Sequence, residues 1–225
     1  MKTKIVYILL TFSRILFAQN SVHDIDGNSY QTMRIDSTEW FVENLKTTRF
    51  ANGDSIPTTQ NKNLAISNET PQNYKWSPAG ENELVKKQGY LYSWGAVIDK
   101  RGLCPTGWKI PSDKEWKILI DKIYTESNST SVTEVDNPNF IYKKNNSSIE
   151  HPFLKEVAFA GGRMISGNYI FQQHFEYYWT STLDYKGFAW MWYFSKSNVN
   201  HFNFEVNGGL SVRCMKSTTV DSQNR

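Results

Sequence analysis

The chain has 225 residues and a mass of 26.1 kDa, a length that excludes a mini-protein and suits one large domain or two small ones, and with 39% hydrophobic and 21% charged residues its bulk is expected to fold. The formal net charge is +3, yet Lys2, Lys4 and Arg14 all fall within the first eighteen residues, which hold no acid; the remainder carries 22 basic and 22 acidic residues. That balance excludes the electrostatic footprint of a nucleic-acid or anionic-membrane binder.

Residues 1–18, MKTKIVYILLTFSRILFA, run from a basic start through an apolar stretch to Ala18, the order of a secretory signal peptide. The stretch is too short to span a bilayer, and Arg14 interrupts it. Cleavage after Ala18 is expected, followed by one domain over 19–217 and a disordered tail over 218–225. The mature start alternates as short strands do. Asp26-Gly27-Asn28 suits a tight hairpin turn, and Asp36-Ser37-Thr38 a second one. The Asp24, Asp26, Asn28 spacing has a faint likeness to a calcium loop, but its glycine is misplaced and no glutamate closes it.

Residues 54–88 are polar and broken by Pro57, Pro71, Pro78 and Gly80, and read as a long irregular excursion. The run from Tyr90 to Val97 fits either a short helix or a buried strand. Ser112 and Glu115 form a capping box, and Trp116, Leu119, Ile120 and Ile123 follow at helical spacing, so a helix is expected over about 113–124. From Thr125 to Glu150 half of the residues are Ser, Thr or Asn, including sequons at Asn128 and Asn146. Asn137-Pro138-Asn139 in that stretch reads as a turn; with Asp136 it offers a single charged oxygen ligand, so no calcium dependence is expected.

Between Tyr169 and Phe204 stand 14 aromatic residues in 36 positions. Phe188, Trp190, Trp192 and Phe194 alternate with Ala189, Met191 and Tyr193, Phe202, Phe204 and Val206 alternate with Asn203, Glu205 and Asn207, and Leu210, Val212 and Cys214 finish the pattern, that of antiparallel strands with one buried face. The Phe188/Trp190/Trp192 face is expected to be core. Tyr185, Tyr193 and His201 fall off that face and, with Asp184 and Asn207, are the candidate ligand-binding residues. The loops from Asp184 to Gly187 and from Lys196 to Asn200 are the expected ligand surface. Cys104 and Cys214 are the two cysteines; an even pair in an exported chain suggests one disulfide, while their spacing forms no metal ligand pair.

The runs DIDGNSYQTMRI with EWFVENL, GYLYSWGAV, GLCPTGWKIPSDKEW, FAGGR, YYWTST and GLSVRCMKS, in this order over residues 24–216, together resemble the Fibrobacter succinogenes major paralogous domain family of exported bacterial proteins. The resemblance implies an α+β domain of C-type lectin-like or formylglycine-generating-enzyme-like fold, with two helices, twisted antiparallel strands and long irregular loops. It also implies cysteines at the positions of Cys104 and Cys214. It carries no reaction. The sequence shows no His-Glu-x-x-His, no Gly-x-Ser-x-Gly and no phosphate loop, so no catalytic residue, metal or cofactor is assigned. The reading is a secreted or cell-surface binding or adhesion module for an extracellular glycan or a surface protein. The alternatives are a hydrolase whose carboxylates come from distant loops, and a purely structural surface component.

Overall fold

The computed structural model describes residues 21–59, 72–126, 141–143, 151–185, 187–196 and 198–217. The leader, the tail over 218–225, the two sequons and the Asn137-Pro138-Asn139 turn lie outside the described residues. In chain order the elements are β1 (Ser21–His23), β2 (Ser29–Ile35), β3 (Thr38–Phe41), β4 (Lys75–Trp76), α1 (Asn82–Gln88), β5 (Leu91–Tyr92), α2 (Trp94–Ile98), β6 (Trp108–Lys109) and α3 (Asp113–Glu126). They continue as β7 (Ile141–Lys143), α4 (Pro152–Lys155), β8 (Gly162–Arg163), β9 (Tyr169–Ile170), β10 (Phe175–Tyr185), β11 (Phe188–Ser195), β12 (Asn198–Glu205) and β13 (Met215–Lys216). The strands named here pair antiparallel throughout, in sheets ordered β1-β2-β3-β13-β6, β10-β11-β12-β7, β4-β5 and β8-β9.

Two expected turns form where the sequence places them. Gly27, at φ +82°, closes the β1–β2 hairpin, and Asp36 takes φ +54° between β2 and β3. The capping box also forms. The Glu115 carboxylate accepts from the Ser112 backbone N–H at 2.8 Å, and the Glu115 N–H donates to the Ser112 hydroxyl at 3.3 Å. Helix α3 then buries Trp116, Leu119, Ile120 and Ile123, the stripe its spacing dictates.

Other elements depart from the sequence reading. The run from Tyr90 divides at Ser93 into strand β5 and helix α2, so both readings of it are partly right. The chain holds four helices among the described residues, not two; α1 lies inside the supposed irregular excursion. Only Leu84 and Val85 are apolar in α1, too few to make a helical stripe. The helix ends at Gly89, φ +73°, where a Cβ would stand 2.6 Å from the Leu45 carbonyl oxygen. That close approach, rather than amphipathicity, seats α1 on the body of the domain.

The core is in two parts separated by the β10–β11–β12 sheet. One holds Tyr30, Phe41, Leu45, Tyr92, Trp179, Met191, Leu210 and the disulfide-bonded Cys104 and Cys214. The other packs α3 through Trp116, Ile120 and Ile123 onto Tyr178, Trp192 and Phe194. The segment from Val206 to Met215, expected to continue the strand alternation, is instead buried at every residue. It threads between elements: the Tyr92, Leu45 and Phe41 N–H groups donate to the Leu210, Val212 and Cys214 carbonyls, and the Trp179 N–H to that of Ser211, all at 2.8–3.0 Å.

The Cys104–Cys214 bridge closes a loop with a sequence separation of 110 residues, anchoring the end of this segment beside β6. A Cys104→Ser, Cys214→Ser variant is expected to lose about 3–5 kcal/mol of stability by urea unfolding. Non-reducing peptide mapping should recover the linked pair; two rapidly alkylated thiols in the native protein would contradict the pairing.

Candidate ligand-binding face

The period of a strand places Tyr177, Trp179, Met191, Tyr193, Phe202 and Phe204 on one side of the β10–β12 sheet. Tyr178, Phe188, Trp190, Trp192, Phe194 and His201 lie on the other. Helix α3 covers only part of the second side: Trp116 stacks on Tyr178 at 5.1 Å and meets Phe194 at 5.9 Å. Past the start of α3 the aromatic row continues into solvent. Trp192 is buried, Trp190 and Phe188 are half-buried, and Tyr185 is 53% exposed.

Stacking organises the row. The His201 ring lies between Trp190 and Trp192, with centroids 5.0 and 4.9 Å away and planes within 25°. Tyr185 stacks on Phe188 at 4.7 Å. Asp113, the first residue of α3, ties the row to the helix. Its Oδ1 accepts from the Trp192 indole N–H at 2.8 Å and lies 3.1 Å from His201 Nδ1. The Asp113 N–H in turn donates to the Thr182 hydroxyl on β10 at 3.0 Å. With Nδ1 so engaged, His201 Nε2 has no partner among the described residues.

The five candidate residues do not form one cluster. Tyr185 and His201, expected off the Phe188/Trp190/Trp192 face, stand on it, in the row, because cross-strand register rather than phase within one strand sets the side. Asp184 beside them accepts from the Asn203 amide at 2.8 Å. Tyr193 is on the opposite side of the sheet, packed flat on Phe202 at 5.7 Å. Asn207 is buried, and its side-chain oxygen accepts from the Gln72 N–H at 3.0 Å, a structural task. The two expected loops are largely strand: Asp184 and Tyr185 end β10, and Asn198 to Asn200 begin β12. Tyr185 already pairs with Phe188, and the Ser195 hydroxyl accepts from the Asn198 N–H at 2.9 Å. The exposed surface is therefore a sheet face. Phe188 and Trp190, read as core, are half-exposed parts of it, while Trp192 is core as expected. Asp113 and Asn203 escaped the sequence reading. The polar phase of β12, with Asn203 between Phe202 and Phe204, was the signal that could have found Asn203.

Three other clusters stand apart from this face. On the Tyr193 side, Ile170, Phe171, Phe175, Tyr177 and Phe202 help to line an open apolar groove of about 280 Å³. In the first hairpin, Asp24 accepts from the Asp26 and Asn28 N–H groups, the Asn28 amide and the Tyr30 hydroxyl. Asp26 accepts from Thr47, Thr48 and Arg49. These carboxylates are occupied by protein donors, and among the described residues no group of three or more His, Cys, Asp or Glu is placed to hold a metal ion. No helix among them is long and apolar enough to cross a membrane.

The third cluster is fully buried. Glu176 accepts from the Asn44 amide at 3.1 Å and the Ala160 N–H at 2.8 Å. The Tyr178 hydroxyl donates to Asn44 Oδ1 at 3.0 Å. The Arg213 guanidinium lies over the Phe153 and Tyr178 rings at 4.6 and 4.9 Å and donates to the Glu156 carbonyl at 2.7 Å. Burial pushes the Glu176 carboxyl up to about 7, opposed by its donors from Ser211, Ala160 and Asn44 and by the Arg213 charge.

A family model, the Fibrobacter succinogenes major domain, matches residues 33–216. No curated protein and no solved structure matches the chain. The match spans Asn44, Glu176, Tyr178, Ser211 and Arg213 of the buried cluster as well as the exposed row.

The Glu176 carboxyl is raised from 4.5 in the unfolded chain to about 7 in the fold, so the stability it contributes is complete below pH 4.5 and is lost as pH climbs through 7. The loss is on the order of 3 kcal/mol. Urea midpoints measured from pH 4 to 8 should show this decline in the native chain, and Glu176→Gln should flatten it. An unchanged slope in the variant would assign the titration elsewhere.

Proposed function

We propose that this chain, which belongs to the Fibrobacter succinogenes major domain family, is an exported binding module of the extracellular space or cell surface, and that its ligand is a glycan or a surface protein. The observation that carries the reading is the aromatic row leaving the core along one sheet face, from buried Trp192 to half-exposed Tyr185. Aromatic faces held rigid by stacking lose little entropy when they bind, and they suit the flat apolar sides of sugar rings or of partner side chains.

The proposed action is retention without catalysis. Glu176, whose carboxyl burial raises to about 7, is fully buried and committed to protein donors, so it has no path to a substrate. His201 and Asp113 are spent on fixing the row. The basic and apolar order of residues 1–18 supports export, and the antiparallel strands with few helices fit a C-type lectin-like architecture.

Removing an exposed ring should weaken binding without unfolding the sheet. Tyr185→Ala is expected to cost less than about 1 kcal/mol of stability. On an array of glycans and surface proteins the same variant should lose at least tenfold in retention of whatever the native chain captures. Equal capture by variant and native protein would move the ligand surface away from this face.

A further inference from the structure

The row contains one break, and the groups at the break have a definite chemistry. Neighbouring side chains on one face of a strand stand about 6.8 Å apart, room for an intervening ring. Between Trp190 and Trp192 that room is taken by His201 from β12. One step along, between Phe188 and Trp190, the residue from β12 is Asn203, which pairs directly with Trp190. Phe188 and Trp190 make no ring contact with each other among the described residues. Each has one stacking partner, on the side away from the break: Tyr185 for Phe188 and His201 for Trp190.

A polar bridge crosses this interval. β10 and β12 flank β11 on its two sides, so the 2.8 Å hydrogen bond from the Asn203 amide to Asp184 Oδ2 passes over the central strand. Its path lies over Ala189, whose own side chain belongs to the opposite core. The bridge is thus a polar floor with a phenyl ring on one side and an indole on the other. Asn203 is exposed and Asp184 half-buried, so the floor is open to solvent. In both residues the oxygen not used in the bridge, Asp184 Oδ1 and Asn203 Oδ1, has no partner among the described residues. Both are acceptors.

Two adjacent acceptors between aromatic walls call for a ligand with two adjacent donors and flat apolar sides. The geometry points to a neutral sugar ring bound at this break, its vicinal hydroxyls donating to Asp184 Oδ1 and Asn203 Oδ1 and its C–H faces packed on Phe188 and Trp190. This assignment rests on the reading of the aromatic face as the ligand surface and narrows it to one chemical class. An ammonium ligand fits less well: a cation is held by rings set around it, whereas these rings are stacked in one line, with planes 24° and 26° apart within their pairs.

The test titrates soluble gluco-, manno-, galacto- and xylo-configured oligosaccharides into the protein and follows the tryptophan indole N–H signals by NMR, with choline as the cation control. At least one saccharide should shift the Trp190 signal, assigned through Trp190→Phe. Its analogue lacking one of the two adjacent hydroxyls should bind at least tenfold more weakly. Asp184→Asn and Asn203→Ala should each weaken the parent saccharide at least tenfold while leaving the urea midpoint in place. Saccharides that shift Trp190 but bind these variants and the deoxy analogue equally well would overturn the diol assignment and leave the aromatic face standing. A Trp190 signal moved by choline, or by none of the probes, also overturns it; capture on the array and its response to Tyr185→Ala then decide the broader reading.

Discussion

The segment from Val206 to Met215 lies where no water reaches, and every polar group on it has to be answered from within the protein. That requirement organises much of the domain. The backbone of the segment is answered by β3, β5, β8 and β10, which join it from different directions. Its side chains Ser211 and Arg213 are answered by Asn44, Glu176 and the rings of Phe153 and Tyr178. A buried guanidinium and a buried carboxyl in one network are costly unless nearly all their bonding capacity is met, so each member constrains the others. Where the segment passes Trp76, a Cβ on Gly209 would come within 2.8 Å of the indole, so only glycine lets the chain through.

This arrangement explains why the runs that carry the family resemblance do not coincide with the candidate binding face. EWFVENL contributes Asn44, FAGGR contributes Ala160, YYWTST contributes Tyr178, and GLSVRCMKS contributes Ser211, Arg213 and Cys214. These positions maintain the interior. Phe188, Asn203 and Tyr185 stand outside the network, on the far end of a sheet whose near end is clamped by α3 and Asp113. The sheet transmits the rigidity of the core outward: Trp190 is held by His201, which Trp192 and Asp113 hold in turn, while Phe188 and Tyr185 are set by the pairing of their strands.

What the sequence made legible was local. The capping box at Ser112 and Glu115, the turns at Gly27 and Asp36, and the strand alternation around Trp190 are decided by neighbours in the chain, and each formed as its pattern dictates. Helix α1 was missed because its support comes from the close approach of Gly89 to Leu45, far away in sequence. The burial of Val206–Met215 was missed because a strand with a solvated face and a segment enclosed on all sides begin with the same alternation. At the candidate face, phase within the strand sets Tyr185 and His201 apart from Phe188, Trp190 and Trp192, whereas the register between strands brings all five to one side. Alternation sends Trp190 and Phe188 to the core because it gives the side of a sheet on which a residue stands, but not where along that side the covering helix stops.

A recognition surface made of strand faces diverges differently from one made of loops. In a loop, insertions and deletions are tolerated and shape changes come cheaply. Between Phe188 and Glu205 a single inserted residue would turn every later side chain to the other side of the sheet, carrying His201 into the apolar side and Phe202 out of it. Length in this hairpin is therefore frozen, whereas identity at the outward positions 185, 188, 190 and 203 is comparatively free. On the proposed reading, descendants of such a protein would change preference by exchanging side chains on an unaltered backbone.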